Sequence, residues 1–249
     1  MTIAIMSAMH EENASIVDEM NIEGEQTIGS RTYYSGRLQG KSVVVVFSHW
    51  GKVAASITAT SLITHFNVKE IIFTGVAGAI DNRLGVGDIV IGSDLYQHDM
   101  DASPIIPRHE IPLLGRAAIA ADDSIRLKLA TAADEFLKQD FSHMLSEEAI
   151  QVFDLQSPEV HITAIASGDQ FVSVPALSAD IGQRLPGVAC VEMEGAAVAQ
   201  VCESFNVPFG VIRTISDAAN ETSEMDFQAF ISSVARVYSL GIVKRYLEQ

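Results

Sequence analysis

Read for periodicity, the chain alternates between short continuous apolar runs and longer stretches whose apolar residues recur three and four positions apart. Residues 3–6, 42–48, 70–74, 88–91, 160–166, 188–193 and 209–215 form the short runs, rich in β-branched side chains and bounded by turn formers. A continuous run, as opposed to strict alternation, predicts a strand covered on both faces. Helices are predicted over 52–66, 123–137, 194–205 and 226–247. In the second, Ile125, Leu129, Ala132, Ala133 and Phe136 share one stripe; in the last, Phe227, Phe230, Ile231, Val234, Val237, Tyr238 and Gly241 do. Residues 139–158 are polar and pattern-poor, and are expected to be an excursion from the fold.

Strands alternating with helices predict an α/β protein: a single-domain, three-layer sandwich whose central sheet is mixed but mainly parallel, flanked by helices. The length of 249 residues suits one undivided domain, and 48% hydrophobic residues can fill a large core. A net charge of −16 argues against nucleic acid as a partner, because phosphates need a basic surface. No apolar run is long enough to span a bilayer. Residues 1–6 lack the basic start of a secretion signal and soon meet Glu11 and Glu12, so they are expected to be the first strand. Cys190 and Cys202 sit in apolar context, too few for a disulfide framework, and are expected to be reduced core thiols of a cytoplasmic protein.

In open α/β sheets ligands bind just beyond the carboxyl ends of the strands. The residues that follow the predicted strands are therefore where chemistry should collect. They are Met9 with Glu11-Glu12, Gly75-Val76-Ala77-Gly78-Ala79, Ser167-Gly168-Asp169-Gln170-Phe171, Glu192-Met193-Glu194-Gly195, and Ser216-Asp217. Four of these five edges bring a carboxylate, and the fifth is a glycine turn where backbone can approach a ligand. None brings a cluster of lysine or arginine. Each residue also has a plainer explanation: Glu11 and Glu12 suit a helix N-terminus, Asp217 a cap, Ser167-Gly168-Asp169 a turn. Glu192-Met193-Glu194 resists such an explanation, since it continues an apolar strand where a buried carboxylate is costly.

Familiar nucleotide and hydrolase signatures are missing. Gly75-Val76-Ala77-Gly78 lacks the third glycine and the ribose-binding acid of a dinucleotide fingerprint, and there is no phosphate-binding loop, nucleophile elbow or His-Glu-x-x-His. His98-Asp99-Met100-Asp101 matches no recognised ligand spacing, so no metal is expected there.

Taken in order, Ala8-Met9-His10-Glu11-Glu12, Gly51-Lys52-Val53-Ala54-Ala55, Thr74-Gly75-Val76-Ala77-Gly78, Gly85-Val86-Gly87-Asp88-Ile89-Val90, Ser167-Gly168-Asp169-Gln170-Phe171, Val191-Glu192-Met193-Glu194 and Arg213-Thr214-Ile215-Ser216-Asp217 resemble the blocks of the bacterial 5′-methylthioadenosine/S-adenosylhomocysteine nucleosidases, members of the purine nucleoside phosphorylase/hydrolase superfamily. The resemblance implies a nucleoside phosphorylase-like fold and hydrolysis of an adenine nucleoside by water, with no cofactor or metal, by a cytoplasmic homodimer active in methionine salvage. It implies that Glu12 is the general base for the water and that Asp217 holds the proton delivered to N7 of adenine. Glu194 would accept hydrogen bonds from the ribose hydroxyls beside Met193, with Glu192 at the ribose end. Phe171 would stack on the purine and the Val172 backbone read its edge; Val76, Ala77, Gly78 and Ser216 would line the pocket, Met9 would touch the sugar or its 5′ group, Arg213 would hold the water and its carboxylates, and Phe227 would close over the base. Such groups suit an oxocarbenium-like transition state, where carboxylates stabilise the sugar's growing positive charge and an acid removes the cost of an anionic purine.

Two positions depart from the family pattern. Val76 stands where a serine is common, and 102–107 replaces a more aromatic stretch, leaving Ile105 and Pro112 as candidate contacts of the 5′ group. A phosphorylase on the same fold would need cationic and hydroxyl groups aimed at a phosphate dianion. A nucleosidase of 6-amino-6-deoxyfutalosine would share the adenine and ribose contacts.

Overall fold

The structure is a computed structural model; it describes residues 1–217 and 223–249, and of residues 223–226 the backbone alone. Strand β1 (Thr2–Ser7) leads to helix α1 (His10–Asp18), then to a meander of β2 (Asn21–Ile28), β3 (Arg31–Leu38) and β4 (Lys41–Phe47). Helix α2 (Lys52–Phe66), β5 (Glu70–Thr74), β6 (Val76–Ala79), β7 (Ile89–Gln97) and β8 (Ala118–Ala120) follow. Next, α3 (Asp123–Glu135) runs through a π-helical turn at Phe136–Asp140 into α4 (Phe141–Met144), followed by α5 (Glu147–Val152) and β9 (Val160–Ser167). The chain continues with α6 (Pro175–Arg184), β10 (Val188–Glu192), α7 (Gly195–Phe205), β11 (Phe209–Asp217) and α8 (Ser223–Phe230). A second π-helical turn, Ile231–Ala235, joins α8 to α9 (Arg236–Glu248).

The strands form one sheet in the order β2-β3-β4-β1-β5-β11-β6-β10-β9-β7-β8, with β11 also paired to β7. The sheet is mixed, as expected: β1 is parallel to β4 and β5, and β11 to β5 and β6. β10 is antiparallel to β6, and β7 antiparallel to β11. The extra β11–β7 pairing closes β11, β6, β10, β9 and β7 into a ring, which the chain's periodicity did not signal. In consequence β9 and β10 run opposite to β11, and the single carboxyl edge expected to gather the acids is replaced by a ring whose facing strands converge on one space.

Alternate residues of the central strands serve opposite faces, as two-sided burial requires. Ala4 and Met6 of β1, Val44 and Val46 of β4, and Ile71 and Phe73 of β5 pack with Ala55, Ala59 and Leu62 of α2 and with α7. Ile5, Val43, Val45 and Ile72 pack on the other face with Ile16 of α1, Leu129 of α3 and Ile242 of α9. Several elements follow short local signals. Asn67, in the left-handed region at φ 51°, ends α2, and the Asp122 side chain caps the amides of Ser124 and Ile125 at the start of α3.

The reading of 139–158 as an excursion is corrected: α4 and α5 lie within it. Ser146 caps α5 by accepting from the Ala149 amide, and Phe141 packs edge-on against Tyr238. The segments are too short to carry a periodic stripe, which is why the pattern missed them. β2, β3, β6, β8 and α6 were missed as well. β2 is an edge strand exposed along nearly its whole length, so it has no apolar run to reveal it.

Candidate active site

A cavity of about 330 Å³ opens where β6, β10 and β11 meet the loops after β1, β4 and β9. Its walls are Ala8, Met9, Trp50, Val76, Ala77, Gly78, Gln170, Phe171, Val172, Val191, Glu192, Met193, Glu194, Ser216, Asp217 and Phe227. That volume matches a small-molecule site. The charged members of this lining are all carboxylates, Glu192, Glu194 and Asp217, with no lysine or arginine among the described residues. A bulge between Ile215 and Asp217 in the pairing with β6 breaks strict alternation, so that Ser216 and Asp217 both face the cavity. The Ser216 hydroxyl donates to Asp217 Oδ2 at 2.8 Å.

Glu12 and Arg213 stand one layer behind this surface. Glu12, at the third position of α1, reaches back so that Oε2 accepts the amide of Met9, a cavity residue, at 3.1 Å. Its other oxygen accepts the Ser239 hydroxyl at 2.6 Å. The cap that would explain Glu12 plainly is therefore real, yet a capping carboxylate needs no burial, and this one is fully buried. Burial pushes the Glu12 carboxyl up to about 7, against the opposing pull of Ser239, Arg213 and the Met9 amide. A base with that value is half ionised near neutrality, the condition in which proton transfer to it is most effective.

Arg213, expected to hold the water and its carboxylates, has a fully buried guanidinium 4.3 Å from the ring centre of Phe73, and it holds the carboxylate of Glu192. Nε and Nη2 donate to Glu192 Oε2 at 3.1 and 2.5 Å. Glu192 also accepts from the Ser167 hydroxyl and from the amides of Glu194 and Gly195 at the start of α7. Its oxygens are filled by protein donors. Gly75 makes room for this arrangement, since a Cβ there would lie 2.9 Å from Arg213 Nη1 and 2.8 Å from Ala8. The glycine turn thus clears space for a guanidinium in addition to opening backbone to the cavity.

Glu194 is different. Its Oε1 accepts the Gly51 amide at 2.9 Å, and Arg213 lies 4.0 Å from Oε2. Burial, then the neighbouring Glu192 charge, push it up to about 7. It retains acceptor capacity toward the cavity, as a hydroxyl-binding carboxylate must.

The opposite wall is built from loops and from α8. Phe171 and Phe227 meet edge to face with centroids 5.7 Å apart, and Phe171 is 48% exposed. Trp50, which sequence reasoning missed, joins them and donates its Nε1–H to the Ala8 carbonyl at 3.0 Å. Its signal was a lone tryptophan immediately before the Gly51-Lys52 block. Gln170, Ala8 and Val191 were also missed as cavity residues. A polar latch ties this wall down: Lys52 Nζ donates to Asp99 Oδ1 at 2.6 Å, Asp99 Oδ2 accepts the Asp169 amide at 2.9 Å, and Asp169 Oδ1 accepts the Lys52 amide at 2.8 Å. Asp99 is thereby committed to Lys52 and the loop. Met9, Val76, Ala77, Gly78, Phe171, Val172, Glu192, Met193, Glu194, Ser216, Asp217 and Phe227 come together in the cavity; Ile105 lies outside it, 88% exposed.

A profile of the Phosphorylase superfamily matches residues 2–248. The chain is 36% identical to a 5′-methylthioadenosine/S-adenosylhomocysteine nucleosidase of Shewanella oneidensis over 100% of this chain and 97% of that one. Among solved structures, futalosine hydrolase of Helicobacter pylori superposes with a TM-score of 0.84 at 31% identity, covering 99% of this chain and 97% of that one. The S. pneumoniae methylthioadenosine/S-adenosylhomocysteine nucleosidase, solved with a transition-state inhibitor, gives a TM-score of 0.82 at 31% identity, covering 100% and 99%.

Proposed function

Because the chain belongs to the 5′-methylthioadenosine/S-adenosylhomocysteine nucleosidases of the phosphorylase superfamily, we propose that it hydrolyses the N-glycosidic bond of those two nucleosides, and of 5′-deoxyadenosine, to adenine and the 5-substituted ribose. The carrying observation is a nucleoside-sized cavity whose charged lining is carboxylate alone, with one buried guanidinium behind it already committed to Glu192. Among the described residues a phosphate dianion would find no free cation there, whereas water and a cationic sugar suit it. In this reading Glu12 takes the proton of the attacking water and Asp217 delivers a proton to N7 of the leaving base. Glu194 holds the ribose hydroxyls beside Met193. Phe171 and Phe227 enclose the purine, Val172 reads its edge, and Met9 lies under the sugar. Arg213 acts through Glu192 and Glu194 by keeping both oriented.

The same reading makes the chain a single domain acting in the cytoplasm, in methionine salvage, as a homodimer. The dimer is supported by large apolar side chains turned outward on α2, Val53 and Ile57, and on the loop after β7, Ile105 and Leu113. Among the described residues no helix is long and apolar enough to cross a membrane.

The test is release of free base from methylthioadenosine, S-adenosylhomocysteine, adenosine and inosine without phosphate. Adenine from the two thio-nucleosides and little hypoxanthine from inosine are expected; an absolute need for phosphate would make the protein a phosphorylase. The likeness to futalosine hydrolase favours one second reading, so 6-amino-6-deoxyfutalosine belongs in the same assay. A higher kcat/KM for it would reassign the main substrate while leaving the chemistry intact.

A further inference from the structure

Glu12 is fixed from a distant part of the chain. The Ser239 hydroxyl on α9 donates to Glu12 Oε1 at 2.6 Å, and the hydroxyl of Thr74, the last residue of β5, lies 2.6 Å from Ser239 Oγ. All three groups are buried, Thr74 and Ser239 each at 2% exposure. Each hydroxyl has one proton, which fixes the direction of the chain. With Glu12 ionised, Thr74 donates to Ser239 and Ser239 donates to Glu12, so every proton has an acceptor. With Glu12 protonated on Oε1, Ser239 must accept that proton, and one hydroxyl proton, on Ser239 or on Thr74, would have no acceptor among the described side chains. Protonation on Oε2 would set that hydroxyl against the Met9 amide proton.

We propose that Ser239, backed by Thr74, is a positioning residue for Glu12: the pair aims the carboxylate and selects its ionised form. The inference rests on the reading of Glu12 as the base. Burial works against the ionised form and Ser239 works for it. The charges acting on Glu12 are Arg213 from β11, which favours ionisation, and Glu11 on its own helix, which opposes it. β5 and α9 face it with the neutral hydroxyls of Thr74 and Ser239. The π-helical turn at Ile231–Ala235 has no titratable residue, and the only one in β4, Lys41, is exposed at that strand's far end. Without Ser239, burial would be opposed only by Arg213 and one amide.

The experiment is the pH dependence of kcat/KM for adenine release by the full-length protein. In the wild type, kcat/KM falls as pH drops through about 7, where Glu12 takes up a proton. Glu194 titrates in the same range, and the higher of the two sets the limb, so a rise in Glu12 is visible. Ser239→Ala should move that acid limb upward by roughly one pH unit, the worth of one hydrogen bond to a charged group. Thr74→Val should move it upward by less, and Thr74→Ser, which keeps the hydroxyl, should return it to the wild-type position. A lowered plateau with the limb unmoved in both Ser239→Ala and Thr74→Val would overturn the inference; if Ser239→Ala does not fold, Thr74→Val decides alone by the same limb. Glu12→Gln separates the two levels. If it stays active, the base assignment falls, whereas an inactive Glu12→Gln with an unmoved Ser239→Ala limb overturns only the role of Ser239.

Discussion

The two walls of the cavity are made in different ways. On the side proposed for the sugar, the groups are buried and bonded on strands and helix starts: Glu12 to Met9 and Ser239, Glu192 to Arg213 and Ser167, Glu194 to Gly51. On the side proposed for the base, Phe171 and Trp50 stand on loops and Phe227 on α8, and one surface latch holds the loop that carries Phe171. The contrast teaches where geometry matters. Proton transfer and charge stabilisation demand placement within a fraction of an ångström, which only a filled hydrogen-bond network on rigid elements supplies. Stacking tolerates small displacement, because an aromatic face offers no single correct point.

If that division is right, damage to the sugar side should appear in kcat or in the fold, and damage to the base side mainly in KM. The largest effects are expected at the two acids proposed to carry protons. Glu12→Gln and Asp217→Asn should each lower kcat about 10²–10⁴-fold in the adenine-release assay, with little change in thermal midpoint. Retention of full kcat by either variant would remove that residue from the chemistry.

Next comes the support behind the wall. Arg213→Met leaves Glu192 buried without its cation, in a pair where Arg213 is wholly inaccessible and Glu192 nearly so. Breaking one partner of such a pair costs about 3–5 kcal/mol, which chemical denaturation will read directly. The double variant Arg213→Met/Glu192→Leu should recover much of that stability while remaining inactive. An Arg213→Met protein as stable as wild type would show that the network is not what holds the sugar wall.

The same contrast governs what the chain revealed before its structure was known. Apolar runs announced β1, β4, β5, the start of β7, β9, β10 and β11; in all but β9, where Ile162 is 46% exposed, two-sided burial leaves no polar alternation to misread. The acids at their ends were legible because Glu192 and Glu194 adjoin an apolar strand without any local reason to be there. Ring closure through β11 and β7 was not legible, since pairing partners far apart in sequence leave no mark on either strand's pattern. Nor was the meeting of Ser239 with Glu12, 227 positions away, where a serine inside an apolar helical stripe looks like dilution of the core. Trp50 was passed over for a related reason: a single aromatic in a loop has no periodicity, and only the fold turns it toward the cavity.

On the base side the effects should be smaller and of another kind. Phe171→Ala removes one ring from the edge-to-face pair that is proposed to enclose the purine. Stacking on a base is worth about 1–3 kcal/mol, so KM should rise about tenfold or more while kcat changes less. A fall in kcat with KM unchanged would mean that Phe171 acts on the transition state.

The smallest expected effect tests how the two walls are joined. Lys52→Met removes the ammonium from Asp99 but leaves the Lys52 backbone amide on Asp169 and the Asp169 amide on Asp99, so two of the three latch bonds persist. Lys52 is 16% exposed and Asp99 24%, so water can replace part of what is lost. The loop carrying Phe171 should loosen while Glu194, held through the Gly51 amide, stays in place. KM should rise a few-fold with kcat nearly constant, read by steady-state kinetics. A matching fall in kcat would mean that the latch transmits through Gly51 to Glu194, and that the two walls move as one body.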